Sequence, residues 1–241
     1  MALKSSSRRF FINRKYRVSV IFFLLIVASL IFFNRIFQIE EIKIIDEENN
    51  TKLAGLDFLH RQNILLLDKK KASVVINKRN PFLKTVNIVK QYPNKIVIFV
   101  KKDQPIAILK SDQGVLLLSD TGKIIFKKKD YNDDLPLINF YQNIYYYQYQ
   151  SGELIDLKEI QSVLNFLKIF RDLNLKVDTV DIAGVNMVAF NLKDKQIYFS
   201  LEKNSQTQQY QLEAVIRQFK IEGKNFTKID LRFNKPVIKF D

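Results

Sequence analysis

A run of apolar residues near the N-terminus is the clearest pattern in the chain. Residues 18–33 read VSVIFFLLIVASLIFF without a charge, and after Asn34 and Arg35 the apolar character resumes through Phe37. The 20 residues 18–37 would form a helix of about 30 Å, the thickness of a bilayer's hydrocarbon core. No small-x-small cleavage pattern follows the run, so we expect a retained transmembrane helix rather than a cleaved signal peptide.

The residues before this run decide the expected topology. Residues 1–17 hold six Lys and Arg residues and no acid, a composition that seldom precedes the buried helix of a soluble protein. By the positive-inside rule this tail should stay in the cytoplasm, with residues 38–241 outside it. We therefore expect a single-pass, type II protein of the cell (inner) membrane.

Residues 38–105 show a pattern typical of a β-α-α-β-β unit. A strand is expected near 39–45, a helix from Thr51 to about Leu59, and a second helix from Asp68 to about Arg79. Apolar residues then alternate on both sides of Tyr92-Pro93-Asn94, which indicates a hairpin.

Residues 106–241 predict a mixed β-sheet domain with flanking helices. Short strands separated by turns form a meander over 106–126, and three further strands are expected between 177 and 201. Two amphipathic helices should begin at the capping boxes Asp156-x-x-Glu159 and Ser205-x-x-Gln208. The predicted fold class is α+β.

The chain closes with two strand-like pieces, 228–233 and 237–240, on either side of Pro236. Because proline cannot donate to a β ladder, the last piece should lie at a sheet edge, where it could accept an added strand. Phe233 either contacts a partner there or packs in the domain core with Ile229 and Leu231, which share its period-two face.

The composition excludes most catalytic arrangements. The chain has no Cys, one His and six scattered Gly, which leaves no thiolate site, no paired histidines and no phosphate-binding glycine loop. His60 is interpreted as a solvated or capping residue, and the acids at 46–48 and 133–134 as turn residues. We expect no enzymatic activity, metal, cofactor or small-molecule substrate.

Two surface features leave alternatives open. Tyr145, Tyr146, Tyr147 and Tyr149 could stack on a cell-wall glycan or form a half-buried strand. The net charge of +14 would ordinarily suggest nucleic acid or an anionic membrane surface as a partner. However, the basic runs 69–71 and 127–129 lack interleaved aromatics, so we expect solvated faces and no nucleic acid.

Several short motifs follow one another beyond the apolar run. They are Pro81-Phe82, Lys90-Gln91-Tyr92-Pro93, Gln104-Pro105-Ile106-Ala107, LSDTGKIIF at 118–126 and IDLRF at 229–233. In this order, behind a single anchor, they resemble the bacterial divisome family FtsQ, called DivIB in Gram-positive bacteria. The resemblance implies a POTRA domain over 38–105 and a β domain over 106–241.

The resemblance also implies a function. It indicates a non-enzymatic scaffold of septum formation, whose POTRA domain contributes to recruitment and whose β domain binds the FtsB/DivIC and FtsL coiled-coil pair. A POTRA-containing component of envelope assembly or secretion is the alternative. The residues that match the family's partner-binding strand are Arg232, Phe233, Lys235 and Val237. Those that match its recruitment surface are Ile88 and Lys90.

Overall fold

A computed structural model describes residues 14–47, 51–130 and 134–240, with side chains from residue 19 onward. Most of the predicted basic tail lies outside these residues. The chain separates into two compact units, Met1–Ile76 with Val86–Val100, and Asn77–Thr85 with Lys101–Asp241. The described residues form helices and two sheets, which confirms the α+β class. The division into domains at residue 105 stays a prediction.

The first helix, α1, spans Arg14–Ile36. Its segment Ser19–Ile36 has a mean hydropathy of 2.3, and none of that segment is buried in the protein. A helix that has apolar side chains on every face, none of them buried in the protein, is stable only in an apolar surrounding such as a lipid bilayer. The helix is therefore consistent with a single membrane span, close to the predicted bounds.

The sheet of the first unit has the strand order β1-β3-β2, with β1 parallel to β3. The strands are β1 (Glu41–Ile45), β2 (Leu83–Gln91) and β3 (Lys95–Lys102). Helix α2, Lys69–Arg79, begins where predicted, because the Asp68 carboxylate accepts hydrogen bonds from the backbone N–H groups of Lys70 and Lys71.

The predicted helix over Thr51–Leu59 is wrong. Only a single 3-10 turn, Asp57–Leu59, forms there. Gly55 lies just before it with φ +71°, a left-handed conformation that interrupts a right-handed helix. The Thr51 hydroxyl donates to the Asp46 carboxylate instead of capping a helix.

The second unit is built on a nine-stranded sheet in the order β12-β11-β10-β9-β8-β7-β4-β5-β6. The strands are β4 (Ala107–Lys110), β5 (Val115–Leu118), β6 (Ile124–Lys128), β7 (Leu137–Phe140), β8 (Thr179–Gly184), β9 (Met187–Leu192), β10 (Lys195–Phe199), β11 (Phe226–Asp230) and β12 (Val237–Phe240). Strand β7 runs parallel to both β4 and β8, and β10 runs parallel to β11. The meander β4-β5-β6 is confirmed.

Two helices connect the parallel strands of this sheet. Helix α3, Lys158–Asp172, links β7 to β8, and α4, Ser205–Glu222, links β10 to β11. Their apolar faces pack on the sheet around a cluster of four buried rings, Phe166, Phe170, Phe190 and Phe199. The centroids of the Phe166 and Phe199 rings lie 4.1 Å apart, and those of Phe170 and Phe190 lie 4.7 Å apart.

Neither predicted capping box forms. Leu157 occupies the N-cap of α3 without a side-chain hydrogen bond. Asn204 caps α4, its side chain accepting from the backbone N–H of Thr207. The cap therefore lies one residue earlier than predicted. Gln208 is buried instead, where its side-chain amide exchanges hydrogen bonds of 3.0 and 2.7 Å with the backbone of Ser200.

Candidate partner-binding edge

Strand β12 forms one end of the nine-stranded sheet. It pairs antiparallel with β11, with Ile238 opposite Ile229 and Val237 opposite Asp230. In the described part of the chain β12 pairs on one side only. The predicted edge position of the Pro236-containing segment is therefore confirmed. At alternate residues of such a strand the backbone N–H and C=O groups point away from the sheet.

The sequence-predicted binding residues lie at the start of this edge. Arg232, Phe233 and Lys235 lie in the turn that follows β11, and Val237 is the first residue of β12. The strand expected over 228–233 is observed as β11, Phe226–Asp230, so it ends three residues earlier than predicted. We call the turn and β12, residues 231–240, the C-terminal edge.

Phe233 is an exposed aromatic residue. Its side chain is 55 % exposed, whereas Ile229 and Leu231 are fully buried. The interpretation that Phe233 packs in the core with these two residues is therefore wrong. The strand ends before residue 233, so the period-two alternation no longer fixes which way its side chain points.

Long polar side chains hold the turn. The Lys203 Nζ atom donates hydrogen bonds to the carbonyls of Leu231 and Phe233, at 3.1 and 2.6 Å. The Gln211 side chain donates to the carbonyl of Asn234 at 3.0 Å. Sequence reasoning missed both residues, because nothing near them in the chain marks a contact with a turn more than twenty residues away.

Arg232 is held by its own chain. Its guanidinium donates two hydrogen bonds to the Asp230 carboxylate, at 2.9 and 2.7 Å, and lies 5.4 Å from the centroid of the Tyr198 ring. Burial raises the pKa of Asp230, but hydrogen bonds from the Arg232 side chain and backbone outweigh it, so that pKa lies below its ordinary value. The hydrogen bond to Asp230 in turn raises the pKa of Arg232. Arg232 and Asp230 therefore form a charged, doubly hydrogen-bonded pair that stabilises the turn after β11.

The edge combines apolar contacts with positive charge. Val237 is 55 % exposed and Phe240 is 49 % exposed. Over residues 226–240 the basic residues are Lys228, Arg232, Lys235 and Lys239, whereas Asp230 is the acid and is paired with Arg232. Such an edge fits an extended segment that carries both apolar and acidic side chains.

The predicted recruitment surface on β2 needs a correction. Ile88 is 2 % exposed, so its side chain lies in the core and cannot contact a partner in this fold. Lys90 is half-buried, and its Nζ atom donates to the carbonyl of Leu65 at 3.2 Å. Val89, between them, is the exposed apolar residue. The recruiting role of β2 itself stays a prediction.

The tyrosine-rich segment is not the strand that one alternative proposed. It forms a 3-10 turn over Tyr146–Gln148, with Tyr145 and Tyr147 exposed. The Lys127 Nζ atom lies 4.2 Å from the centroid of the Tyr146 ring. Glycan stacking on the exposed rings stays a prediction. In the described ranges, no group of three His, Cys, Asp or Glu side chains is placed to hold a metal ion.

In the described residues, a β-helix-β-β unit follows one helix that is long and apolar enough to cross a membrane, which is the element order expected of a POTRA domain behind an N-terminal anchor. Residues 36–102 match the family model of the FtsQ-type POTRA domain. The chain is 27 % identical over 191 residues to the cell division protein DivIB of Clostridium botulinum strain Hall, covering 78 % of this chain and 72 % of that protein. It is also 27 % identical over 189 residues to DivIB of strain Loch Maree, covering 77 % and 72 %. These matches support the resemblance to the FtsQ/DivIB family of cell-division proteins.

Proposed function

We propose that this protein is a bitopic scaffold of the bacterial division machinery. The basic tail lies in the cytoplasm, α1 spans the membrane, and both units lie outside the cytoplasm. There they recruit and link division proteins during septum formation through protein contacts, without catalysis. The FtsQ-type POTRA match and the DivIB relatives support the division role.

The open C-terminal edge carries this proposal. A partner segment adds to β12 as a further strand and satisfies its outward backbone groups. The proposed partner is a coiled-coil membrane protein of the FtsB/DivIC type, paired with one of the FtsL type. Its extended segment carries acidic residues opposite Lys235 and Lys239, which favours rapid encounter.

Side chains at the edge give the contact its affinity. Phe233 is large, aromatic and exposed, and the Lys203 hydrogen bond to its carbonyl fixes the backbone of the turn, so less backbone freedom is lost when a partner binds there. Residues of this kind carry most of the binding free energy in protein interfaces. Val237 adds an exposed apolar side chain at the start of the strand, whereas Phe240 lies on the opposite face, with its ring centroid 5.7 Å from that of Phe219.

Purification of the tagged, full-length protein from its own membranes tests the proposal. We expect a short, single-pass coiled-coil protein to co-purify with the wild type and to be lost with Val237→Glu. The matched control is Leu154→Glu, an exposed apolar residue of the same unit that is 60 % exposed. Equal recovery with all three proteins would contradict binding at β12, and a soluble or cytoplasmic partner would contradict the topology.

A further inference from the structure

Exposed apolar side chains of the first unit gather beside the end of α1. Leu66 is 84 % exposed, Leu65 is 44 % exposed and Tyr92 is 60 % exposed. We call these three residues the juxtamembrane patch. They belong to two loops, one before α2 and one at the tip of the β2-β3 hairpin.

The first loop is fastened to the last turn of α1 and to the residues just after it. The Asn63 side-chain amide donates to the Asn34 side-chain oxygen at 2.8 Å. The backbone N–H of Ile64 donates to the Phe37 carbonyl at 2.8 Å, and that of Ile39 donates to the Gln62 carbonyl at 2.9 Å. Leu65 and Leu66 directly follow Ile64, whose N–H makes the bond to Phe37, so they lie close to the helix end.

The hairpin tip is fastened to the same place. The backbone N–H of Glu40 donates to the Asn94 carbonyl at 2.9 Å, and the Asn94 side-chain amide donates to the Glu40 carboxylate at 2.9 Å. The centroids of the Tyr92 and Phe37 rings lie 6.4 Å apart. Both loops therefore flank the point where the chain leaves α1.

The position along α1 fixes the depth of the patch. Asn34 lies two residues before the helix end at Ile36, which is about 3 Å along the helix axis. The helix segment up to Ile36 is apolar and unburied, so its last turn lies at the boundary between hydrocarbon and headgroups. Tyrosine is enriched at this depth on both sides of a membrane, and arginine side chains near a helix end can extend to the interface. Tyr92, Arg35 and Arg61 lie on or beside these loops.

We propose that the juxtamembrane patch inserts into the lipid headgroup region, so that the first unit is seated directly on the bilayer. Leu65 and Leu66 enter the boundary with the acyl chains, and Tyr92 lies among the headgroups. The inference rests on the proposed membrane span. It adds a second membrane attachment that fixes the orientation of the first unit and presents β2 at a set height above the lipid.

The absence of Cys from the chain makes this testable with single labels. Leu66→Cys, Phe99→Cys and Leu25→Cys are each made in the full-length protein, labelled with an environment-sensitive fluorophore and reconstituted in phosphatidylethanolamine and phosphatidylglycerol vesicles. Phe99 is the matched control because it is also exposed, at 42 %, but lies far from the helix end. It pairs with Ile45, whereas Lys95 pairs with Glu41 near the helix end. The four residues from Lys95 to Phe99 span roughly 13 Å along β3.

Quenching by spin-labelled phospholipids is the measurement. We expect the Leu66 label to be blue-shifted and quenched roughly twofold or more relative to the Phe99 label, as for an interfacial residue. A Leu66 label as accessible to water as the Phe99 label, together with a quenched Leu25 label, would overturn this inference alone. An unquenched Leu25 label would overturn the span, and the inference with it.

Discussion

The two edges of the nine-stranded sheet differ in how the chain treats them. At β12 the outer side has no neighbouring strand in the described residues, and exposed apolar side chains line it. At β6 the chain folds back: the N–H of Ile124 donates to the Glu153 carbonyl at 2.9 Å, and the N–H of Gly152 donates to the Ile124 carbonyl at 2.7 Å. Lys123 and Leu154 also form an isolated β-bridge.

The rest of β6 is covered by charge and by the tyrosine-rich segment. The Lys127 Nζ atom donates to the carbonyls of Tyr146 and Tyr149, each at 2.6 Å. Sheet edges that are not used for binding are commonly blocked by charged residues and by loops. The second unit therefore protects one edge of its sheet and leaves the other available, which favours β12 as the interface.

Phe233→Ala should weaken partner binding at the C-terminal edge more than substitution of Arg232, Asp230 or Lys235. An exposed aromatic anchor is expected to contribute about 1 to 3 kcal/mol to partner binding, or roughly a tenfold to hundredfold change in dissociation constant. The melting temperature should stay nearly unchanged, because the ring is not in the core. Titration and thermal unfolding of the same variant test this, with Tyr147→Ala on the β6 side as the control. Lower stability with unaltered affinity would remove Phe233 from the site.

Arg232→Glu should weaken the edge from within. It replaces the bidentate partner of Asp230 by a like charge, and the buried carboxylate then loses its charged hydrogen bonds, at a cost of about 1 to 3 kcal/mol in the free energy of unfolding. Arg232→Lys keeps the charge but not the paired geometry and should lie between. Denaturant unfolding of the full-length wild type and of the two variants provides the measurement. Equal stability of all three proteins would show that the pair does not support the turn.

Features of the fold that depend on residues close together in the sequence were mostly predicted correctly, whereas those that depend on distant residues were not. An uninterrupted apolar run identified α1. The period of apolar residues identified α2 and the inward faces of α3 and α4, because burial of one face is decided within a few turns. Pro236 correctly placed the last strand at an edge, because a missing donor is a property of one residue. Strand β7 was not predicted, since its parallel pairing with β4 and β8 joins segments distant in sequence.

The candidate site was only partly predictable for the same reason. Phe233 and Val237 are exposed as a binding role requires, and that role stays a prediction. The support of the turn by Lys203 and Gln211 could not be predicted, because it depends on where long side chains reach after folding. Ile88 was placed on a surface because its strand was matched by motif, and a motif does not say which face of a strand is covered. The two capping boxes failed because a cap depends on the exact first residue of a helix.

A smaller effect is expected on the contribution of Asp230 to the free energy of unfolding at acidic pH. The pKa of Asp230 is lowered in the folded protein, so its stabilising contribution is present above the unfolded pKa of about 3.9 and is lost as the pH falls through the folded value. The difference in unfolding free energy between wild type and Asp230→Asn should be constant near neutral pH and shrink below about pH 4. Denaturant midpoints measured across this range test it. A difference that grows on acidification would contradict the sign of the shift.

The smallest effect is expected at Lys235. It is exposed and lies in the turn, so Lys235→Glu should slow association and reduce its salt dependence while changing dissociation little. Association kinetics at two ionic strengths provide the measurement. Lys129→Glu, beyond the β6 edge, serves as the charge-matched control. Identical association rates for the two variants would show that steering reflects net charge rather than the C-terminal edge.

Hydrogen–deuterium exchange of the full-length protein, with and without its co-purified partner, tests strand addition at β12 most directly. The backbone amides of Val237–Phe240 that point away from β11 should exchange more slowly when the partner binds, because they donate to the added strand. Those of Ile124–Lys128 should not change. Protection at β6, or partner binding without any new protection at β12, would contradict the account.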